Sequence, residues 1–291
     1  MSFSQFALQL ITGLQISAIY VLVALGLTLI FGTLGVANFA HGALYVIGAY
    51  LGLVISSQIG WAWAIIVVPI VLFTLGILFD RGLLQFFYKR PVTDQILVTF
   101  GLAIIVQELA RTIFGGTTRP FPPPQWARIP VELPFGLGFY PPWRLIIIAV
   151  TVVVVILLFI LLRYTKFGLM VRAGMRDPEM VRYLGIDATR LFTLVVGIGS
   201  MLAGIAGIMN GPAQSIDPSS GMVLLVPAFL VVVIGGMGSL VGAVIAGLIM
   251  GLASSFSVVF APQIAQIIIY LVAVAVLIFR PRGLFGVEGI G

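Results

Sequence analysis

Few residues in this chain carry side chains able to do chemistry, and most of them fall inside or beside apolar runs. Asn38 and His41 stand three apart in a glycine-rich stretch, on one face if that stretch is helical. Polar groups in such surroundings are costly and face a cavity or one another. The pair therefore lines a polar passage, braces a broken helix beside one, or makes a helix-to-helix hydrogen bond. Glu108 and Arg111, at i and i+3, form a structural ion pair or meet a passing zwitterion. Left single at the centre of a span, either charge would cost roughly 2.5–3.5 kcal/mol. Asn210, Gln214 and Asp217 gather around Pro212 and Pro218 and read as a capped turn within reach of a solute. None of this is catalytic. His41 has no nucleophile or second titratable group placed near it, and the absence of Cys excludes thiol chemistry, disulfides and Cys-ligated metals. A single His likewise excludes a His-rich metal site.

The elements that must position these groups are membrane helices. The 291 residues are 61% hydrophobic and 8% charged, with a mean hydropathy of +1.22. A soluble core cannot absorb that much apolar surface. At about 20 residues per span, the length suits eight to ten spans in one transmembrane domain covering 1–291. Apolar segments fall at Phe6–Phe31, Phe39–Ser57, Trp61–Phe79, Gln95–Phe114, Trp143–Leu162, Leu191–Met209, Met222–Ile234, Leu240–Val259 and Ile264–Phe279. The expected fold class is all-α and polytopic, with about eight to nine transmembrane helices. Trp143–Leu162, a continuous Ile/Val/Leu run, should face lipid, whereas Phe39–Ser57 should not. Met222–Ile234 is short and holds Pro227, so at least one segment should be broken or re-entrant. Small-residue faces at Gly204/Gly207/Gly211, Gly238/Gly242 and Gly247/Gly251 argue for close helix packing and leave dimerisation open. The N-terminus is apolar almost from Phe6 and has no basic leader region, so no cleavable signal peptide is expected.

Charge sets the orientation. Eleven Lys and Arg fall in 80–94, 163–190 and the C-terminal tail, against four on the other side if spans alternate. That places the insert and the C-terminus in the cytoplasm. The N-terminus is outside if Phe39–Ser57 spans fully and inside if it is re-entrant. The net charge of +6 then reflects cytoplasmic loops facing membrane lipid rather than a nucleic-acid partner. The outer loop 115–142 holds eight of the sixteen Pro and should be stiff and extended. The basic insert 163–190 holds six of the fifteen Lys and Arg. Within it Asp177 suits an N-cap, Pro178 the first helical position, Glu179 the positive end of the helix dipole and Gly185 a left-handed stop. The pattern predicts a two-turn helix over Pro178–Leu184.

Four stretches carry a family resemblance. FGLMVRAGMRDPEMVRYLGID resembles the cytoplasmic loop of the permease subunits of bacterial branched-chain amino-acid ABC importers. FGTLGVANFAHGALYVIGAY (31–50), VIGGMGSLVGAVIAG (233–247) and FRPRGLFG (279–286) resemble other parts of that family in matching order. The likeness is closest to the subunit type with a short N-terminus. It implies a bacterial inner-membrane permease working with a second permease subunit, two ATPase subunits and a periplasmic binding protein. It also implies that the short cytoplasmic helix is a coupling helix, with Arg172, Arg176 and Arg182 pairing with acids on the ATPase. The chain has no G-x-x-x-x-G-K-[ST], and its only lysines, Lys89 and Lys166, do not follow a Gly. ATP and Mg are therefore expected on the partner ATPase, with no cofactor in this chain. Asn38, His41, Glu108 and Asn210 are the candidate path residues. Branched-chain amino acids are the expected solute, with urea, amides and aromatic or dicarboxylic acids as alternatives. A proton-driven carrier using His41 and Glu108 would not need the 177–185 handle. An intramembrane enzyme would need paired acids, Ser/Lys or His clusters that the sequence lacks.

Overall fold

A computed structural model describes residues 2–176, 181, 183, 185 and 187–286. Among them ten α-helices follow in order: α1 Phe3–Leu34, α2 His41–Gln58, α3 Trp61–Gly82, α4 Val92–Phe114, α5 Pro142–Tyr164, α6 Lys166–Arg176, α7 Ala188–Gln214, α8 Ser220–Gly235, α9 Leu240–Phe260 and α10 Ala265–Phe279. Seven stretches are long and apolar enough to cross a membrane: α1, α3, α4, α5, α7, α9 and Pro262–Phe279, which contains α10. The chain is an all-α, multi-pass membrane protein.

Two long helices form the centre. α1 starts on a reciprocal cap in which Ser2 Oγ accepts the Gln5 N–H and Gln5 Oε1 accepts the Ser2 N–H. It stops at Gly35, whose φ of 65° is open to glycine at no steric cost. α7 starts on Asp187, whose carboxylate accepts the N–H groups of Thr189 and Arg190. Small residues let the other helices close on these two. Gly251 and Gly247 of α9 lie against Ser17 and Val21 of α1, so the two helices run antiparallel. Gly48 of α2 meets Gly204 of α7 so closely that a Cβ at Gly48 would sit 2.6 Å from Gly204 Cα. Gly242 faces Gly235 and Gly211 faces Phe121. The small-residue faces are thus used within the chain. α5 presents Val152, Val153, Ile156, Leu157 and Ile160 outward, which is the lipid-facing wall its composition predicts.

The Phe39–Ser57 segment is neither a plain span nor a simple re-entrant loop. After α1 the chain turns back through 35–40 without helix, and α2 begins at His41, packed on Gly26 two turns up α1. Such irregular backbone is tolerated in a membrane only under protein cover. Here Val36, Ala37, Asn38 and Ala40 are buried, Thr99 Oγ1 accepts the Phe39 N–H at 3.0 Å, and Asn38 Oδ1 accepts the Ala40 N–H at 3.0 Å. α2 then runs on to the end opposite α6. Because Gly32 near the end of α1 packs against Gly238 and Met175 of α6, the N-terminus also lies at the end opposite the insert. α8 is short but continuous through Pro227. It begins deep, with Gly221 against Gly42 and Val46, while α2 continues for twelve more residues, about 18 Å at helical rise.

The loop at that far end is less uniform than its prolines predict. It contains an antiparallel hairpin, β1 Val131–Leu133 with β2 Gly138–Tyr140. Arg119 and Ile216 exchange backbone hydrogen bonds of 2.7 and 2.9 Å, tying the loop to the α7–α8 turn. Trp61 stacks on Phe121 and packs on Trp143, whose indole N–H donates to the Met209 carbonyl at 2.8 Å. At the insert end the tail folds back, and the N–H groups of Leu284 and Phe285 donate to the carbonyls of Ile234 and Gly235. The insert holds a helix that the capping pattern did not predict. α6 turns Val171 and Gly174 inward and packs Phe167, Met170 and Met175 on the core. Of the predicted Pro178–Leu184 helix, Val181 and Tyr183 are described and helical, Val181 buried and Tyr183 exposed, while Asp177, Pro178, Glu179 and Arg182 lie outside the described residues. Gly185, its predicted stop, has a φ of 78°, the left-handed value such a stop needs.

Candidate functional site

At the end away from the insert, the recessed start of α8 leaves a cavity of about 740 Å³. Each neighbouring helix contributes one or two polar groups to an otherwise apolar wall. α1 brings Gln15, α2 brings Tyr45, and α7 brings Asn210 and Gln214. The turn after α7 adds Asp217 and Ser219, α9 adds Ser254, and α10 adds Gln266 and Tyr270. Ile16, Ile19, Val223, Leu224, Val258 and Ile269 make up the apolar part, and Pro227 is on the floor.

Two of the polar groups have spare hydrogen-bonding capacity. Asn210 Nδ2 donates to the Tyr45 hydroxyl at 2.7 Å, which leaves Asn210 Oδ1 without a partner although the residue is 5% exposed. Gln15, 4% exposed, has an unpartnered Nε2. A buried polar atom left unpaired costs about 1–3 kcal/mol, so an acceptor and a donor held this way on one cavity mark a place for a polar ligand. Asp217 is the one charged side chain on the cavity wall among the described residues. Hydrogen bonds from the Ser219 hydroxyl, then from the Ser219 N–H at 2.8 Å, hold its carboxyl below the usual carboxylate range, with Thr118 Oγ1 adding a third at 3.2 Å.

The candidate path residues separate in space. Asn210 is on the cavity wall. His41 is wholly buried against Gly26, with neither ring nitrogen partnered, and is not on that wall. Asn38 spends its carbonyl on the start of α2 and keeps an unpartnered Nδ2. Glu108 pairs with Arg111 at 2.9 Å on the exposed side of α4, outside the cavity. Gln15 and Tyr45 escaped the reading of the sequence. Gln15 had a signal, being an amide inside the apolar run of α1; Tyr45 had none beyond its neighbourhood.

A second polar group that was missed sits at the insert end. Asp80, fully buried at the end of α3, accepts hydrogen bonds from the Tyr88 hydroxyl and, at 2.6 Å, from Thr193 Oγ1 of α7. It binds α3 and the following turn to α7 just six residues after the Asp187 cap. A lone carboxylate closing an apolar run was the available signal. Of the insert's arginines, Arg172 lies on the wall of another cavity, and Arg176's side chain lies outside the described residues. Among the described residues no three His, Cys, Asp or Glu side chains come together as a metal site.

The model of one protein family, described as the branched-chain amino acid transport system permease component, matches residues 9–278. The chain belongs to that family. The permease is 28% identical to the high-affinity branched-chain amino acid transport system permease protein BraD of Pseudomonas aeruginosa, over 96% of this chain and 95% of BraD. It is 28% identical to LivH of Escherichia coli, a high-affinity branched-chain amino acid transport system permease protein, over 98% of this chain and 96% of LivH. It is 31% identical to a probable branched-chain amino acid transport permease protein LivH of Methanocaldococcus jannaschii, over 94% and 90% of the two chains. No solved structure matches it. The recess on the far side of the bundle is the feature of this permease best suited to receive a solute.

Proposed function

We propose that this permease is the membrane subunit of an ATP-driven importer in a bacterial inner membrane, and that it carries branched-chain amino acids. The recess between α1, α2, α7 and α8 carries this reading. It opens at the end opposite the basic insert, which the excess of Lys and Arg assigns to the cytoplasm together with the C-terminus. A periplasmic binding protein delivers the solute at the Pro-rich loop. The unpaired Gln15 amide N–H and Asn210 carbonyl meet the carboxylate and ammonium of the amino acid, Asp217 adds attraction for the ammonium, and the apolar wall takes the side chain. A second permease subunit completes the path. Two ATPase subunits hold ATP and Mg and grip the 177–185 segment, with Arg176 and Arg182 pairing to their acids.

The similarity of BraD and LivH, by their names branched-chain amino acid permeases, supports this solute class. The test is uptake by the reconstituted complex in vesicles loaded with ATP, binding protein outside. Labelled leucine, isoleucine and valine should accumulate only when nucleotide is present, and urea or a dicarboxylic acid should not compete. Accumulation by the chain alone, without nucleotide or partners, would mean a self-sufficient carrier instead.

A further inference from the structure

The recess accounts for one end of the molecule; a second large cavity, about 500 Å³, opens at the insert end between α1, α5 and α6. Its floor is hydrocarbon, with Leu29 of α1, Phe159 of α5 and Val171 of α6. Arg163, at the end of α5, and Arg172, within α6, stand on its wall, both exposed. Neither has an acidic partner among the described residues, where the ion pairs are Arg111–Glu108 and Arg190–Asp187. Thr28 of α1 also lines it. Thr28 is wholly buried, yet its Oγ1 has no partner, unlike Thr33, whose hydroxyl donates to the Leu29 carbonyl at 2.6 Å. Phe159 itself lines the groove, and its neighbours Ile156 and Ile160 on α5 are exposed apolar surface.

We infer that this groove binds one anionic phospholipid. The phosphate sits between the guanidinium groups of Arg163 and Arg172, the Thr28 hydroxyl serves an ester or phosphate oxygen, and an acyl chain follows the apolar floor onto α5. Guanidinium groups pair well with phosphate oxygens, and basic pockets between membrane helices on the cytoplasmic side suit anionic headgroups. A free phosphate would leave the hydrocarbon floor uncovered. The lipid thereby holds α6 against α1 and α5, and Arg172 acts toward the membrane rather than toward a soluble partner.

The test uses the full-length chain with its co-purifying partners in phosphatidylcholine nanodiscs, with and without phosphatidylglycerol, and native mass spectrometry of the retained lipid. Wild type should retain phosphatidylglycerol in preference to phosphatidylcholine. Arg163→Gln with Arg172→Gln should weaken that preference by roughly tenfold to thirtyfold. Arg90→Gln, basic but away from the groove, should leave it unchanged, and inorganic phosphate should not displace the lipid. If the double variant fails to fold, Arg172→Gln alone, at an exposed position, should show about a fivefold loss. Equal retention of the two lipids, undiminished preference in the variants, or displacement by inorganic phosphate would overturn the assignment.

Discussion

At the residue scale the molecule separates polar groups that stabilise from polar groups that wait. Asp80 has both carboxylate oxygens bonded and joins three pieces of chain. Asn210 and Gln15 keep one valence each for something the chain does not supply. Asn210→Leu should therefore raise the half-saturating solute concentration about threefold to tenfold, the worth of one hydrogen bond, while membrane abundance stays normal. Initial uptake rates across solute concentrations measure this, and an unchanged half-saturation would remove Asn210 from the path. Asp217 makes a different prediction. Its carboxyl titrates below the ordinary range in the folded protein because Ser219 and Thr118 donate to the charged form. Its contribution is present above the unfolded value of about 3.9 and disappears only as pH falls through the lower folded value. The difference in thermal midpoint between wild type and Asp217→Asn should stay flat from neutral pH to about pH 4 and close below it. A difference already closing between pH 6 and 5 would contradict the hydrogen bonding around that carboxyl.

At the scale of elements, hydropathy revealed the helices that face lipid and understated those that do not. The apolar runs at Trp61–Phe79, Gln95–Phe114 and Trp143–Leu162 became α3, α4 and α5 with ends shifted by a few residues. The Asn38–His41 stretch was legible as unusual, but its path was not. Whether buried backbone leaves the helix depends on partners distant in sequence, here Thr99 on α4. α6 ends before the 177–185 segment, whose capping pattern carries no information about it. Its own signal was the i, i+3, i+4, i+7 spacing of Phe167, Met170, Val171 and Gly174. The recess could not be read at all, since it arises from where α8 starts relative to α2. The glycines told of close packing without saying against what. Gly48 and Gly204 now give that a measurable form. Gly48→Leu forces a side chain into the α7 backbone and should cost at least ~3 kcal/mol, against near neutrality for Gly101→Leu, where a Cβ meets nothing within 4 Å. Thermal unfolding in detergent would separate the two, and equal midpoints would show that α2 and α7 do not touch there.

At the scale of the whole molecule, the features joining its two ends are the central helices. α7 leaves the insert at its Asp187 cap, takes the Thr193 bond to Asp80 within two turns, and reaches the recess at Asn210. Its 27 residues span about 40 Å at helical rise, enough to cross the bilayer as one rigid piece. A displacement applied beside Asp187 is thus delivered at the far side, and small movements of packed helices are an established way to alternate between states. On the proposed coupling, the push enters through the 177–185 segment, which its sequence leads one to expect to be stiff and capped. On the capped helix expected from the sequence at 178–184, changing both Asp177 and Pro178 to Gly would remove the capping side chain, a loss of roughly a few tenths of a kcal/mol at a Gly cap, and would free the φ that proline fixes, raising the entropy of the segment. The membrane core is untouched by this, so the variant should insert and assemble at wild-type levels. ATP-dependent uptake should nevertheless fall to background, because ATPase movement would be absorbed in a slack joint. Solute-stimulated ATP hydrolysis should drop with it. Wild-type uptake in that variant, at equal protein in the membrane, would show that the drive reaches α7 by another route.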